Sequence, residues 1–361
     1  MLVDAAARAA MVRAAVGAQG RSRSPAGARS RWLFLLWLAL FYASWTTFVL
    51  GQGRWPVVAA HWPIALAMLF GSYVAGSTPM GGGSVAFPIL VLLLGEPARL
   101  GRDFSFAVQS LGMGSAVLYM LVSGRALAWG VLRWAMLGSL FGTPFGLLML
   151  APYATEVQVK LIFAVVWAAF GVMTLLRLRE LAGQAGSLAP RSRIERAAGL
   201  VVGLVGGACL AALTGVGVDM LLYSVLVLLF RADLKLAVPS AVTLMAFTSL
   251  VGLATRFLLA AIEPAQAGFA PGLWEYWLAA APIVVVGAPL GALAVSVVPR
   301  VFTLRFVSLL CVAQLAWVCA QARLSGGALV LVLSAVAVLC LGLETLYSRA
   351  KTGQTCTPEG Q

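Results

Sequence analysis

Ten stretches of the chain, at 33–50, 58–76, 103–123, 128–150, 157–176, 197–213, 238–261, 274–297, 303–322 and 326–346, are apolar over the length of a membrane crossing. A helix needs about 20 such residues to span roughly 30 Å of hydrocarbon. Two shorter apolar runs, 80–94 and 217–230, would each reach only about 21 Å as helices. Just 10% of the 361 residues are charged, against about a quarter in a soluble domain. The pattern predicts an all-α polytopic membrane protein of about ten transmembrane helices plus two short broken ones.

Each short run follows a glycine break, the first at Thr78-Pro79-Met80-Gly81-Gly82-Gly83-Ser84 and the second at Thr214-Gly215-Val216-Gly217-Val218-Asp219. Interrupted helices at matching places in two halves of a membrane chain point to a binding site at the midplane. An offset of 134 residues places Gly81 on Gly215, Gly83 on Gly217 and Gln109 on Thr243. The two units so defined are separated by an odd number of crossings, which predicts an inverted repeat.

The net charge of +13 would suggest nucleic acid if it formed one basic face. It collects instead at segment ends, as the positive-inside rule describes, and no nucleic-acid partner is expected. Residues 1–32 carry six arginines against Asp4, and the linker 177–196 carries five against Glu180 and Glu195. The predicted organisation is a basic cytoplasmic tail at 1–32, a first membrane half at 33–176, a cytoplasmic linker at 177–196, a second half at 197–346 and a cytoplasmic tail at 347–361. The acid-poor start also has the composition of an organelle transit peptide, and both readings stay open. Arg54, Arg99, Arg102 and Arg323 are exceptions to the rule, the middle two offset by Glu96 and Asp103, and Arg256 is expected to snorkel to the outer interface. Five cysteines without a CxxC pair and the single His61 leave nothing to build a metal site, a disulfide framework or a catalytic triad. No cofactor and no enzymatic activity are expected.

Helix N-termini offer unpaired N–H groups and a positive dipole end, a combination that suits anions. Gly81, Gly82 and Gly83 with Ser84, and Gly215 and Gly217 with Thr214, are the candidate anion contacts. Gln109, Ser240 and Thr243, near the starts of the helices that follow, are candidate liners of a polar path. Each of these hydroxyls could equally bond back to its own helix, and the glycines could serve helix packing alone. Asp219 is the only charged residue between Ala197 and Phe230. An acid within a membrane segment is a candidate functional group, here for proton coupling, with a helix cap as the plainer role.

The stretch Gly81-Gly82-Gly83-Ser84-Val85-Ala86-Phe87-Pro88-Ile89-Leu90 resembles the glycine-rich motif of the TauE/SafE sulfite-exporter family. Thr214 to Tyr223, followed by Lys235-Leu236-Ala237-Val238-Pro239-Ser240-Ala241, is similar to that family's companion motif. The resemblance covers about 65–345. It implies a proton-driven permease in the cell inner (plasma) membrane, with both termini cytoplasmic, moving sulfite, sulfoacetate or a related organosulfur anion. The second break departs from the pattern in having Asp219 and no triple glycine. A channel or a membrane subunit of a larger complex is the alternative, and self-association is left open.

Overall fold

The computed structural model describes residues 26–178, 192–264, 268–294, 300–323 and 326–355. Most of the 1–32 tail, the core of the 177–196 linker and residues 356–361, with Cys356, lie outside the described residues. Within them every regular element is helical. The helices are α1 (Ala26–Gly51), α2 (Trp55–Ala60), α3 (Trp62–Ser77), α4 (Gly83–Pro88, prolonged by a π-helical turn Ile89–Leu93), α5 (Ala98–Val122), α6 (Trp129–Phe145, prolonged by Gly146–Leu150) and α7 (Glu156–Leu176). The second half holds α8 (Ser192–Val205, running on through Gly206–Ala211 and Ala212–Thr214), α9 (Val218–Ser224, then Val225–Leu229), α10 (Leu234–Ile262), α11 (Leu273–Ala294), α12 (Arg300–Gln321) and α13 (Gly327–Thr355).

Nine helices among the described residues are long and apolar enough to cross a membrane. The tenth expected crossing, 58–76, is divided at His61 into α2 and the 16-residue α3. Pro63 sits in the first turn of α3, where its missing N–H is tolerated but cannot continue the preceding helix. The apolar windows of α5, α7, α8, α10 and α11 are 56–67% buried, while those of α1 and α13 are 6% buried. The outer two helices therefore present most of their leucines to lipid.

Contacts between neighbours fix the direction of each helix. Along α5 and α11 the partners ascend together: Trp277 Nε1 donates to Ala107 O at 3.1 Å and Ser115 Oγ to Val285 O at 2.7 Å. Helix α3 ascends with α11 too, with Ser72 beside Gly287 and Gly76 beside Ala288 and Ala292. Helices α5 and α10 run oppositely, since Asp103 meets Arg256 while Phe106 meets Gly252. Helix α6 ascends with α10 through Ala128–Ser240 and Ser139–Thr248, and with α8 through Gly138–Leu200 and Gly146–Ala208. So α3 and α8, the first helices of the two units, are antiparallel, and the repeat is inverted.

The register of that repeat differs from the 134-residue offset. Thr78 and Thr214, 136 residues apart, have the same role: each hydroxyl donates four residues back, to Val74 O at 2.8 Å and Leu210 O at 2.9 Å, and accepts from the N–H two residues on. The π-helical turns, the bonds from Glu96 N to Leu90 O and from Ala232 N to Leu226 O, and the left-handed residues Gly95 and Arg231 keep the same 136-residue spacing. Matching glycine to glycine misses it by two residues, because the shared feature is the threonine that caps the incoming helix. On this register Gln109 corresponds to Met245 rather than Thr243.

Glycines bring the helices together across the halves. On α6, Gly138, Gly142 and Gly146 face Gly199, Gly203 and Gly207 of α8, and an added Cβ at Gly203 would run into Ala135 O. The α3–α11 seam uses Gly76, Gly287 and Gly291 in the same way. Backbones this close pack by van der Waals contact, the main attraction between helices in lipid. Gly203→Ala should lower stability by about 1–3 kcal/mol through overpacking, whereas Gly114→Ala on α5, with open space around it, should be neutral or slightly stabilising. Thermal unfolding of the purified protein in detergent checks the difference.

Candidate functional site

The α3–α4 hairpin enters and leaves at the start of α11, where His61 packs on Tyr276 at 4.8 Å and Glu96 accepts from Tyr276 Oη at 2.7 Å. The α8–α9 hairpin enters and leaves at the start of α6, beside Gly130 and Ala128. Because α6 and α11 are antiparallel, the hairpins come from opposite faces, and their breaks meet inside.

Gln109 of α5 sits at that meeting point and is 1% exposed. Its Nε2 donates to Ser105 O at 3.0 Å and to Gly215 O at 2.9 Å. Two carbonyl acceptors on one nitrogen fix the amide orientation, so Oε1 is turned toward the first break. A Cβ added at Gly81 would lie 2.5 Å from that Oε1 and 2.8 Å from Asp219 Oδ2. Gly81 also has φ +65°, a conformation that glycine adopts without strain. Gly83 is as closely confined, against Val216 and Gln109 Nε2 at 2.8 Å, and Gly82 lies over Ala75 and Gly71.

Asp219 lies in the first turn of α9 and is fully buried. Its Oδ1 accepts from Met220 N at 3.0 Å, while Oδ2 has no partner; Gln109 Oε1 has none either. Two acceptor oxygens thus converge on one glycine with no donor between them, and a buried polar group left unpaired costs about 1–3 kcal/mol. The adjoining cavity, lined by Ser72, Gly82, Gln109 and Met113 among others, measures about 10 Å³, room for no more than one water.

The structure thus brings together Gly81, Gly83, Gln109, Gly215 and Asp219, with Gly82 just behind. Ser84 Oγ is turned back to Gly81 O at 2.6 Å, and Thr214 Oγ1 is taken by its own helix. Gly217 faces Trp167, at 2.9 Å from an added Cβ. Thr243 Oγ1 donates to Pro239 O at 2.8 Å. Ser240 lies elsewhere: it donates to Leu236 O and accepts from Ala128 N at 2.8 Å, tying α10 to the start of α6.

Residues outside the sequence expectation complete the surroundings. Trp167 stacks on Phe163 at 4.3 Å, and Phe163 on Phe87 of α4 at 4.8 Å, so one aromatic column touches both hairpins. Nothing in an apolar helix distinguishes such a tryptophan from ordinary core. Arg256 does not snorkel. It is 4% exposed and meets the fully buried Asp103 at 3.0 Å. Beside them a larger cavity, about 480 Å³, is lined by Arg99, Arg102, Arg256, Glu156 and Glu263 with Leu213 of α8.

Gly81→Ala and Gly95→Ala both place alanine at positive φ (65° and 74°), but only the former meets Gln109 and Asp219. Gly81→Ala should be the more destabilising of the two by about 1–3 kcal/mol, read as the difference between their thermal unfolding midpoints.

Comparison with curated proteins and with solved structures finds no match. A family model does match: that of the sulfite exporter TauE/SafE, over residues 64–317, from α3 to most of α12. The match takes in both hairpins and the helices that pack on them, and the chain belongs to the sulfite exporter TauE/SafE family, whose members are membrane transporters of sulfite-type anions and not enzymes.

Proposed function

We propose that the protein is a secondary transporter of sulfite or a small organosulfur anion such as sulfoacetate, with transport coupled to protons through Asp219. The observation that carries this reading is the convergence of Asp219 Oδ2 and Gln109 Oε1, both unpaired, on Gly81 between the two breaks. A neutral Asp219 donates to Gln109 Oε1 and holds the halves together. A deprotonated Asp219 leaves two acceptors facing each other, and the breaks separate. An oxyanion that carries its own proton, as bisulfite does, supplies the missing donor and takes the place of the carboxyl proton. Gly81, Gly82, Gly83, Ser84, Thr214, Gly215 and Gly217 line the space so opened with backbone groups at the start of α4 and α9, which favour negative charge. Ser240 and Thr243 stand outside this reading because their hydroxyls are committed to backbone.

The basic tail 1–32 and linker 177–196 support a plasma-membrane orientation with both termini cytoplasmic. The α3–α4 hairpin then enters from outside and the α8–α9 hairpin from the cytoplasm. Both ends of each hairpin lie on one side, which keeps an even number of crossings between the two basic segments.

Reconstitution in proteoliposomes tests the reading. Sulfite flux driven by a pH gradient should collapse with a protonophore, and Asp219→Asn should reduce gradient-driven flux at least about tenfold while leaving exchange of sulfite for sulfite. Flux with an unchanged dependence on the gradient in Asp219→Asn removes Asp219 from the coupling step, and absence of sulfite flux in the wild type removes the substrate.

A further inference from the structure

The cavity at the outer end of α5 contains more buried positive charge than its own acids neutralise. Arg102 and Arg256 are 7% and 4% exposed, and between them lies one carboxylate, that of Asp103. Asp103 accepts from Arg102 Nε at 2.9 Å and from Arg256 Nε at 3.1 Å. Arg99 adds a third guanidinium, which donates to Gly268 O, as does Arg256 Nη2 at 3.2 Å. A carbonyl satisfies the hydrogen bond but not the charge. Of the facing acids, Glu156 is engaged by Ala98 N at 3.2 Å and by Lys160 at 4.0 Å, and Glu263 stands exposed at the rim.

An ion buried without a counterion is unfavourable, because its lost hydration is not replaced. The hydrogen bond that Arg102 makes to a described residue is the one from Nε to Asp103, and Arg102 lines the cavity. A guanidinium presents a planar fork that fits two oxygens of one oxyanion. The site also adjoins the second break: a Cβ at Gly215 would fall 2.5 Å from Arg102 O, and Leu213 forms part of the cavity wall.

We propose that this cavity is a second anion site, in which Arg102, supported by the Asp103–Arg256 pair and by Arg99, binds sulfite or a small sulfonate at the outer mouth of the path, apart from the midplane breaks. The choice of anion rests on the transport reading given above; the charge argument does not.

The test uses the full-length protein purified in detergent, with sulfite, methanesulfonate and chloride titrated at constant ionic strength against the unfolding temperature. A ligand that binds the folded state raises that temperature saturably. Sulfite should do so in the wild type, with apparent affinity about tenfold weaker in Arg102→Gln and intermediate in Arg102→Lys. Wild-type affinity in Arg102→Gln, or wild-type stabilisation by sulfite and methanesulfonate no greater than by chloride, overturns the proposal. Should Arg102→Gln fail to fold, phenylglyoxal labelling of the wild type, followed by peptide mass spectrometry, decides: sulfite should protect Arg102, and labelling unchanged by sulfite overturns the site. Arg102-dependent binding without sulfite flux would sink the transport reading alone. Sulfite flux with an unchanged KM in Arg102→Gln would sink the second site alone.

Discussion

A backbone carbonyl with no partner in hydrocarbon is the condition this structure is built to avoid. A proline inside a helix has no N–H for the carbonyl four residues before it, and the described membrane helices hold five such prolines, Pro88, Pro144, Pro239, Pro282 and Pro289. At Pro88, Pro282 and Pro289 the carbonyl so freed is taken by a side chain from a different helix. Ser84 O receives Gln314 Nε2 of α12 at 3.2 Å, Leu278 O receives Trp45 Nε1 of α1 at 3.0 Å, and Val285 O receives Ser115 Oγ of α5 at 2.7 Å. These bonds join residues 230, 233 and 170 positions apart. They give α1, which buries little of its surface, a defined seat on α11. They also hold the kinked α4 against α12.

The same condition shapes the breaks. Thr78 and Thr214 each satisfy one carbonyl behind and one N–H ahead, and Gln109 reaches across to Gly215 O. Most of the irregular backbone is thereby paired without water. Gln109 Oε1 and Asp219 Oδ2 are among the buried side-chain atoms left unpaired, and they are the two that meet at Gly81 between the breaks.

Hydropathy was enough to read the helices, because lipid demands long apolar segments, and the glycine breaks were legible because few other residues tolerate such bends. Asp219 was legible for being alone in its segment. The pairing of faces was not, since a helix apolar all round carries no stripe to show which side meets a neighbour. The repeated spacing of Gly138, Gly142 and Gly146, mirrored by Gly199, Gly203 and Gly207, is a sequence mark of the α6–α8 seam that hydropathy passes over. Asp103 and Arg256 lie 153 residues apart, so their pairing has no local trace. Ser240 looked like a site residue because its type and position near a helix start suited one. Its actual partner, Ala128 N, belongs to another helix altogether.

The glycine seams also determine what the protein can divide into. Helix α3 of the first half is closed against α11 of the second, and α8 of the second against α6 of the first. Each tight pair takes one member from either side of the linker, so the mechanical units are not the halves defined by the chain. Helices α5 and α10, again one from each half, join these pairs through the Asp103–Arg256 ion pair and the close packing of Phe106 on Gly252. A chain severed in the linker would yield two fragments clasped through each other, like the links of a clasp whose closure does not depend on the thread between them.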